Sequence, residues 1–272
     1  MNQISRDGLA GPAQRIHYTL RIAAAMCFIG HGAFGIITKP IWCNYFAVFG
    51  IGHDLAYRLM PLVGTIDILL GLSLLIYPLR VVAGWLVCWG LMTASLRPLS
   101  GESFGELIER AGNFGAPLAL LLLSKPAVHG FKAWWTKIDA GPHPDERTMG
   151  RVVWCLRIVV FLLLVGHGWL NLIEKKGLMQ QYTALGFSNP ANVARMAGAF
   201  ELLAAVAVLV RPVRPLLLAF LVWKMTTELF YPHWEVFEWV ERAGSYGSLL
   251  ALWLALGGLP VKSGSKKTAF AV

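Results

Sequence analysis

Apolar runs of transmembrane length alternate with short polar stretches along almost the whole chain. Runs over about 17–37, 57–77, 81–97 and 107–124 predict four helices. After a basic connector, runs over about 152–172, 192–210, 214–230 and 242–258 predict four more. Pro78-Leu79-Arg80 and Pro212-Val213-Arg214 read as tight turns, and residues 98–106 as a polar loop. The fold class that follows is an all-α polytopic membrane protein, with eight transmembrane helices arranged as two parallel four-helix repeats.

The repeat is visible residue by residue. Residues 20–39 read LRIAAAMCFIGHGAFGIITK and residues 156–175 read LRIVVFLLLVGHGWLNLIEK, identical at eight of twenty positions at an offset of 136. At an offset of 134, Gly64 and Asp67 match Gly198 and Glu201, Trp89 matches Trp223, and Thr93 matches Thr227. Glu109-Arg110-Ala111-Gly112 matches Glu241-Arg242-Ala243-Gly244 at 132. The offset changes fall in loops, as in a true duplication. The expected domains are a first repeat over 1–124, a connector over 125–151, a second repeat over 152–258 and a basic, disordered tail over 259–272. An even number of spans per repeat makes the repeats parallel.

Composition sharpens this picture. The chain is 56% hydrophobic and only 14% charged, too apolar for a soluble domain of 272 residues. A net charge of +9 is explained by topology rather than by nucleic acid. Of 24 Lys and Arg, 15 lie on the side of both termini, against 4 of 15 acids. Positive residues favour the cytoplasm, so both termini are expected there, with the protein in a bacterial inner membrane and the lipid bilayer as its solvent. Trp134 and Trp135 beside Lys132 read as an interfacial anchor. The four cysteines form no CxxC and do not recur between halves. They read as apolar fillers, and no metal site is expected.

Ionisable residues inside such runs are expensive and therefore candidates for function. His31 lies ten residues past Arg21, about 15 Å along a helix, and Asp67 falls near the middle of the next run. His167 and Glu201 are the counterparts. Small residues at i−3 and i+4 of each acid (Gly64 and Gly71; Gly198 and Ala205) permit close helix approach on the acid's own face. The spacing predicts His31 beside Asp67 and His167 beside Glu201, in a polar pocket of each half that opens to the outer side. Lys39, Lys175, Glu109, Arg110, Glu241 and Arg242 rim these pockets as candidate cofactor-binding residues. The bland alternatives are helix pairing for the His and acid, dipole compensation for the Glu-Arg pairs, and snorkelling for the lysines. Lys224 and Glu228, an i,i+4 pair in the seventh run, stand where the first half has Gly90 and Ala94. The second half is thus the better candidate for a working site, with His167, Glu201, Lys224 and Glu228 connected. The segment from Tyr231 to Glu238 is a candidate aromatic and acidic lid.

The HG…K segment, together with Asp67-Ile-Leu-Leu-Gly71 and Glu201-Leu-Leu-Ala-Ala in the following runs, resembles the DoxX/DoxD-like family of small four-helix membrane proteins. The chain resembles two such units fused. Departures are Asp67, where the family more often has Glu, and Glu201-Leu-Leu-Ala, which lacks the following Gly. The resemblance implies membrane redox chemistry: a quinone-linked oxidoreductase or the membrane subunit of one, with an extracytoplasmic or membrane redox partner. A quinone head group needs an apolar slot and a group that exchanges protons with its oxygens, and each half offers both. Alternatives from other classes are a small-solute or ion-coupled transporter, a b-type haem protein ligated by the two histidines, and a scaffold without chemistry. The transporter reading lacks clear broken helices at corresponding positions.

Reporter fusions after Pro98 and after Asn189 should report the outer side, and a fusion near Ala140 the inner side. An outer reading at Ala140 would refute parallel repeats.

Overall fold

The structure, a computed structural model, describes residues 11–124, 128–139, 144–230 and 236–258. Lys125, Ala140, most of the expected lid and the basic tail lie outside the described residues. Every regular element among the described residues is helical. In the first half these are α1 (Pro12–Ile36), α2 (Trp42–Ala47), α3 (His53–Ile76), α4 (Arg80–Leu99), α5 (Phe104–Glu109) and α6 (Ala111–Leu123). In the second half they are α7 (Glu146–Leu172), α8 (Lys176–Ala184), α9 (Pro190–Val210), α10 (Arg214–Thr227), α11 (Val236–Glu241) and α12 (Ala243–Gly258).

Local sequence explains the boundaries. Pro12 and Pro190 occupy first turns, where the missing N–H costs nothing. Asp145 caps α7 by accepting a hydrogen bond from Thr148 N at 2.8 Å. At the far ends of α1 and α7 the chain reverses through Thr38 and Glu174, at φ 52° and 53°. Lys39 N donates to Phe34 O and Lys175 N to Leu170 O, both at 3.0 Å, closing these αL turns. The repeated Arg21 and Arg157 are caps. Arg21 donates to Leu74 O at 2.6 Å and to Leu75 O; Arg157 donates to Val208 O at 3.2 Å and to Leu209 O. Each supplies donors to orphan carbonyls at the end of the next long helix.

Among the described residues, five helices are long and apolar enough to cross a membrane: α1, α3, α4, α7 and α9. The eighth expected run is one shorter helix, α12, joined at Arg242 to the short α11 before it; the other two expected runs are not single helices. The fourth breaks at Arg110 between α5 and α6. The seventh ends at Thr227 and continues as a 3₁₀ turn, Glu228–Phe230. The broken helices stand at corresponding positions, the feature whose absence counted against a transporter. The connector is also shorter than expected, since α7 begins at Glu146. The stretches after α1 and α7 are the helices α2 and α8 rather than plain connections.

The two halves do not form separate bundles. α1 packs on α3 but also on α11 and α12; α7 packs on α9 but also on α5 and α6. α6 and α12 cross at the centre, and one apolar core draws on both halves. Each pocket expected within one half is therefore built from both. Glycines set these crossings. A Cβ on Gly30 would overlap the backbone of Glu241, and one on Gly166 the backbone of Glu109. Gly112 and Gly244 face each other across the centre, while Gly32 and Gly168 meet Gly64 and Gly198. In each GHG triplet the first glycine thus admits the other half's broken helix and the second admits its own half's next helix. The outward faces of α3 and α9 are apolar: Leu203 and Met196 are 73% and 74% exposed, surfaces suited to lipid.

Gly166→Ala should lower stability in detergent by about 1–3 kcal/mol through overpacking against fixed backbone. Gly168→Ala, whose nearest neighbour is Gly198 O at 3.0 Å, should cost less. Thermal unfolding of both variants checks the order; equal effects would refute the close approach at Gly166.

Candidate functional site

His31 and His167 point into the bundle toward the acids expected from the spacing. His31 Nδ1 lies 2.7 Å from Asp67 Oδ2. His167 Nδ1 lies 2.7 and 2.8 Å from the two oxygens of Glu201. Asp67 and Glu201 are 1% and 2% exposed. The environments differ. His31 tilts against the Trp42 ring, 4.8 Å between centroids. In the second half Asn171 Nδ2 donates to Glu201 Oε2 at 3.0 Å, and Tyr182 Oη donates to Asn171 Oδ1 at 2.9 Å. Asn171 and Tyr182 were not singled out in the sequence. Asn171 sits one turn after His167, which was a usable signal; Tyr182 belongs to α8 and had none.

Lys224 and Glu228 are both buried, 3.4 Å apart. The Lys224 ammonium makes no hydrogen bond among the described residues. Glu228 Oε1 accepts from Arg242 at 2.9 Å, and Arg242 also donates to Glu109 Oε1 at 3.1 Å. One ligating atom each from Glu109, His167 and Glu228 lies within 4.8 Å of the others. His167, Glu201, Lys224 and Glu228 are thus one connected cluster, completed by Glu109 from the first half and by Arg242. The Glu109, His167 and Glu228 spacing would suit a metal ion, contrary to the expectation from sequence. Both carboxylates, however, already accept from Arg242, and Lys224 stands beside one of them, so the charge that a cation would supply is in place.

The two rim lysines pair across the halves rather than snorkel. Lys39 meets Glu238 at 2.6 Å, and Lys175 meets Glu106 at 2.5 Å. Arg110 binds Glu106 at 2.7 Å and approaches Glu109 at 3.4 Å; Arg97 reaches Glu102 at 3.1 Å. Glu106 and Glu238, at matching positions before the two breaks, were missed because they are indistinguishable from loop acids until the helices cross. A vestibule of about 250 Å³ at this end is walled by five cations (Lys39, Lys175, Arg97, Arg110, Arg242) and three acids (Glu102, Glu238, Glu241).

Two further cavities touch the buried acids and histidines. One, of about 90 Å³, reaches His31 from the vestibule side and includes Arg110, Glu241, Trp89 and Ala94 in its wall. The other is a groove of about 550 Å³ between α9 and α10. Its wall is apolar, including Phe187, Met196, Phe200, Phe220 and Trp223, apart from Glu201 at its inner end.

These features define a helical membrane protein with two buried His–acid pairs joined by a belt of ion pairs. Residues 152–234, within the second half, match the family model DoxX. No curated protein and no solved structure matches the chain.

The belt makes a prediction about acid stability. Burial raises the pKa of Glu106, but Arg110 and Lys175 outweigh it and leave the carboxyl below its ordinary value of 4.5. Burial likewise raises that of Glu238, and Arg242 and Lys39 outweigh it. A folded-state pKa held below the unfolded one contributes stability above pH 4.5 that is lost as pH falls through the lowered value. Melting temperature in detergent should therefore drop only below the ordinary carboxylate range. The Glu106→Gln/Glu238→Gln variant should start lower and show a flatter acid limb; an unchanged limb would show that these pairs do not contribute.

Proposed function

We propose that the protein is the membrane-embedded, quinone-binding component of an oxidoreductase system, with the His167–Glu201 pair as its proton-exchanging group. The observation that carries this reading is the groove between α9 and α10. It presents apolar walls on a surface suited to lipid and ends on a buried carboxylate bonded to a histidine. An apolar ring with a hydrogen-bonding oxygen fits such a slot. The association of the DoxX family with membrane-bound oxidoreductase function points the same way.

A quinone held there supplies two-electron chemistry; the chain's own residues bind, orient and protonate. Phe200 and Phe220, stacked 5.6 Å apart, flank the groove where a ring would lie. Glu201, oriented by His167 and Asn171, faces the groove's inner end and can pass a proton to an oxygen there. With His167 neutral, the cluster of Glu109, Glu201, Glu228, Lys224 and Arg242 carries one excess negative charge, so one proton on the pair balances it. Lys224 and Arg242 stand beside the other two carboxylates. The electrons come from a redox partner at the membrane or its outer surface. In this reading the chain crosses the membrane eight times, with both termini cytoplasmic and the vestibule outside.

A transporter is a second reading, favoured by one observation: helices broken at Arg110 and Arg242 in corresponding positions. The continuous apolar core beneath the sites weighs against it, because it offers no polar path onward.

His167→Ala and Glu201→Gln should each reduce quinone-dependent turnover of the assembled system by at least about 100-fold, with assembly largely intact. Ala219→Phe, which narrows the groove, should weaken quinone binding with the pair untouched. Loss of folding together with activity would favour a structural pair. Full activity in both site variants would move the search to His31, Asp67 and Glu109.

A further inference from the structure

The alignment of the two halves places Gly90 opposite Lys224 and Ala94 opposite Glu228. The same alignment pairs His31 with His167, Arg110 with Arg242, and Glu241 with Glu109. In the second half the Glu228 carboxylate fills the space among the last three: it lies 2.9 Å from Arg242 and within the 4.8 Å cluster with His167 and Glu109. In the first half His31, Arg110 and Glu241 line the cavity of about 90 Å³, and Ala94 forms part of its wall. Where one half carries its own carboxylate, the other leaves room for one. We infer that this cavity is a binding site for a small monocarboxylate, whose carboxylate takes the place between Arg110 and His31 that Glu228 takes between Arg242 and His167.

Independent features of the cavity agree with such a ligand. Trp89 Nε1 is buried and has no hydrogen-bond partner among the described residues, and Trp89 lines the cavity. It is a donor awaiting an acceptor, and such groups are rarely left so. Asn113 and Arg97 add donors, against Glu241 as the one carboxylate of the lining. Two guanidinium groups disfavour a cation. The vestibule shares Trp42, Arg97, Arg110 and Glu241 with the cavity, so the two adjoin. The volume corresponds to about three waters at roughly 30 Å³ each, enough for an acid of two to four carbons and too small for a quinone ring. Val63, Met92 and Leu96 in the wall accept the short alkyl part. The site is separate from the groove at Glu201 and does not depend on the quinone reading.

Calorimetric titration of the full-length protein in detergent with sodium propionate tests the assignment. Sodium chloride at equal ionic strength and propionamide, the neutral near-isostere, are the controls. The wild type should bind propionate at one site per chain, and propionamide at least about tenfold more weakly, since only the carboxylate makes charge-assisted bonds. Ala94→Glu, which supplies the carboxylate from the chain itself, should abolish propionate binding while the protein keeps its elution volume and melting temperature. If that variant does not assemble, Ala94→Leu, an apolar plug of the same cavity, decides the question by loss or retention of binding. Absence of propionate binding in the wild type, equal affinity for propionamide, or binding retained in a folded Ala94 variant would each overturn the assignment.

Discussion

A charge inside an apolar bundle must find a partner or be given up, and this protein is arranged around that constraint. Removing one partner of a buried pair leaves an uncompensated charge, at a cost of about 3–5 kcal/mol. The acids and bases at the vestibule end are accordingly matched across the halves. Lys39 reaches Glu238, Lys175 reaches Glu106, and Arg242 joins Glu109 to Glu228. These contacts exist because each histidine helix packs not only on the next helix of its own half but also against the broken helix of the other. The glycine before each histidine is what makes that approach possible, since any side chain there would meet backbone.

The same architecture then diverges. In the second half Asn171 and Tyr182 extend the His167–Glu201 pair into a hydrogen-bonded chain, and Lys224 with Glu228 occupies the centre. In the first half Gly35 stands opposite Asn171, and Gly90 and Ala94 stand opposite the ion pair. The corresponding volume is open and faces Trp42 and Trp89. The second-half pair lies at an apolar groove between α9 and α10, and the first-half pair beside a cavity that shares its wall with the vestibule. Similar His–acid pairs thus sit in chemically different surroundings in the two halves. The breaks at Arg110 and Arg242 serve both, because they turn the guanidinium groups and the preceding glutamates into the space between the halves.

Much of this was legible in the residues. Apolar run lengths identified the class, because only a lipid environment accommodates so many uncharged segments. The GHG triplets and the small residues around Asp67 and Glu201 pointed to close approach, and the His–acid pairs follow from helices adjacent in sequence. Charge inside an apolar run singled out Lys224 and Glu228, since such a group has no cheap place to go. All of these are local properties: composition, period and spacing within one or two helices.

What the tertiary structure alone decided is which half each residue serves. Glu109 reads as a first-half helix start, yet it stands by His167; Glu241 does the same for His31. Lys39 and Lys175 read as rim or snorkelling cations of their own halves, yet each binds an acid of the other half. The short helices before the Glu-Arg pairs also emerged only with packing, as did the crossing at which Gly112 and Gly244 bring their backbones into contact. The physical reason is common to all of them. Periodicity along a chain tells which face of a helix is buried, but carries no information about which distant helix covers it. That choice is made by shape and charge matching across the whole bundle.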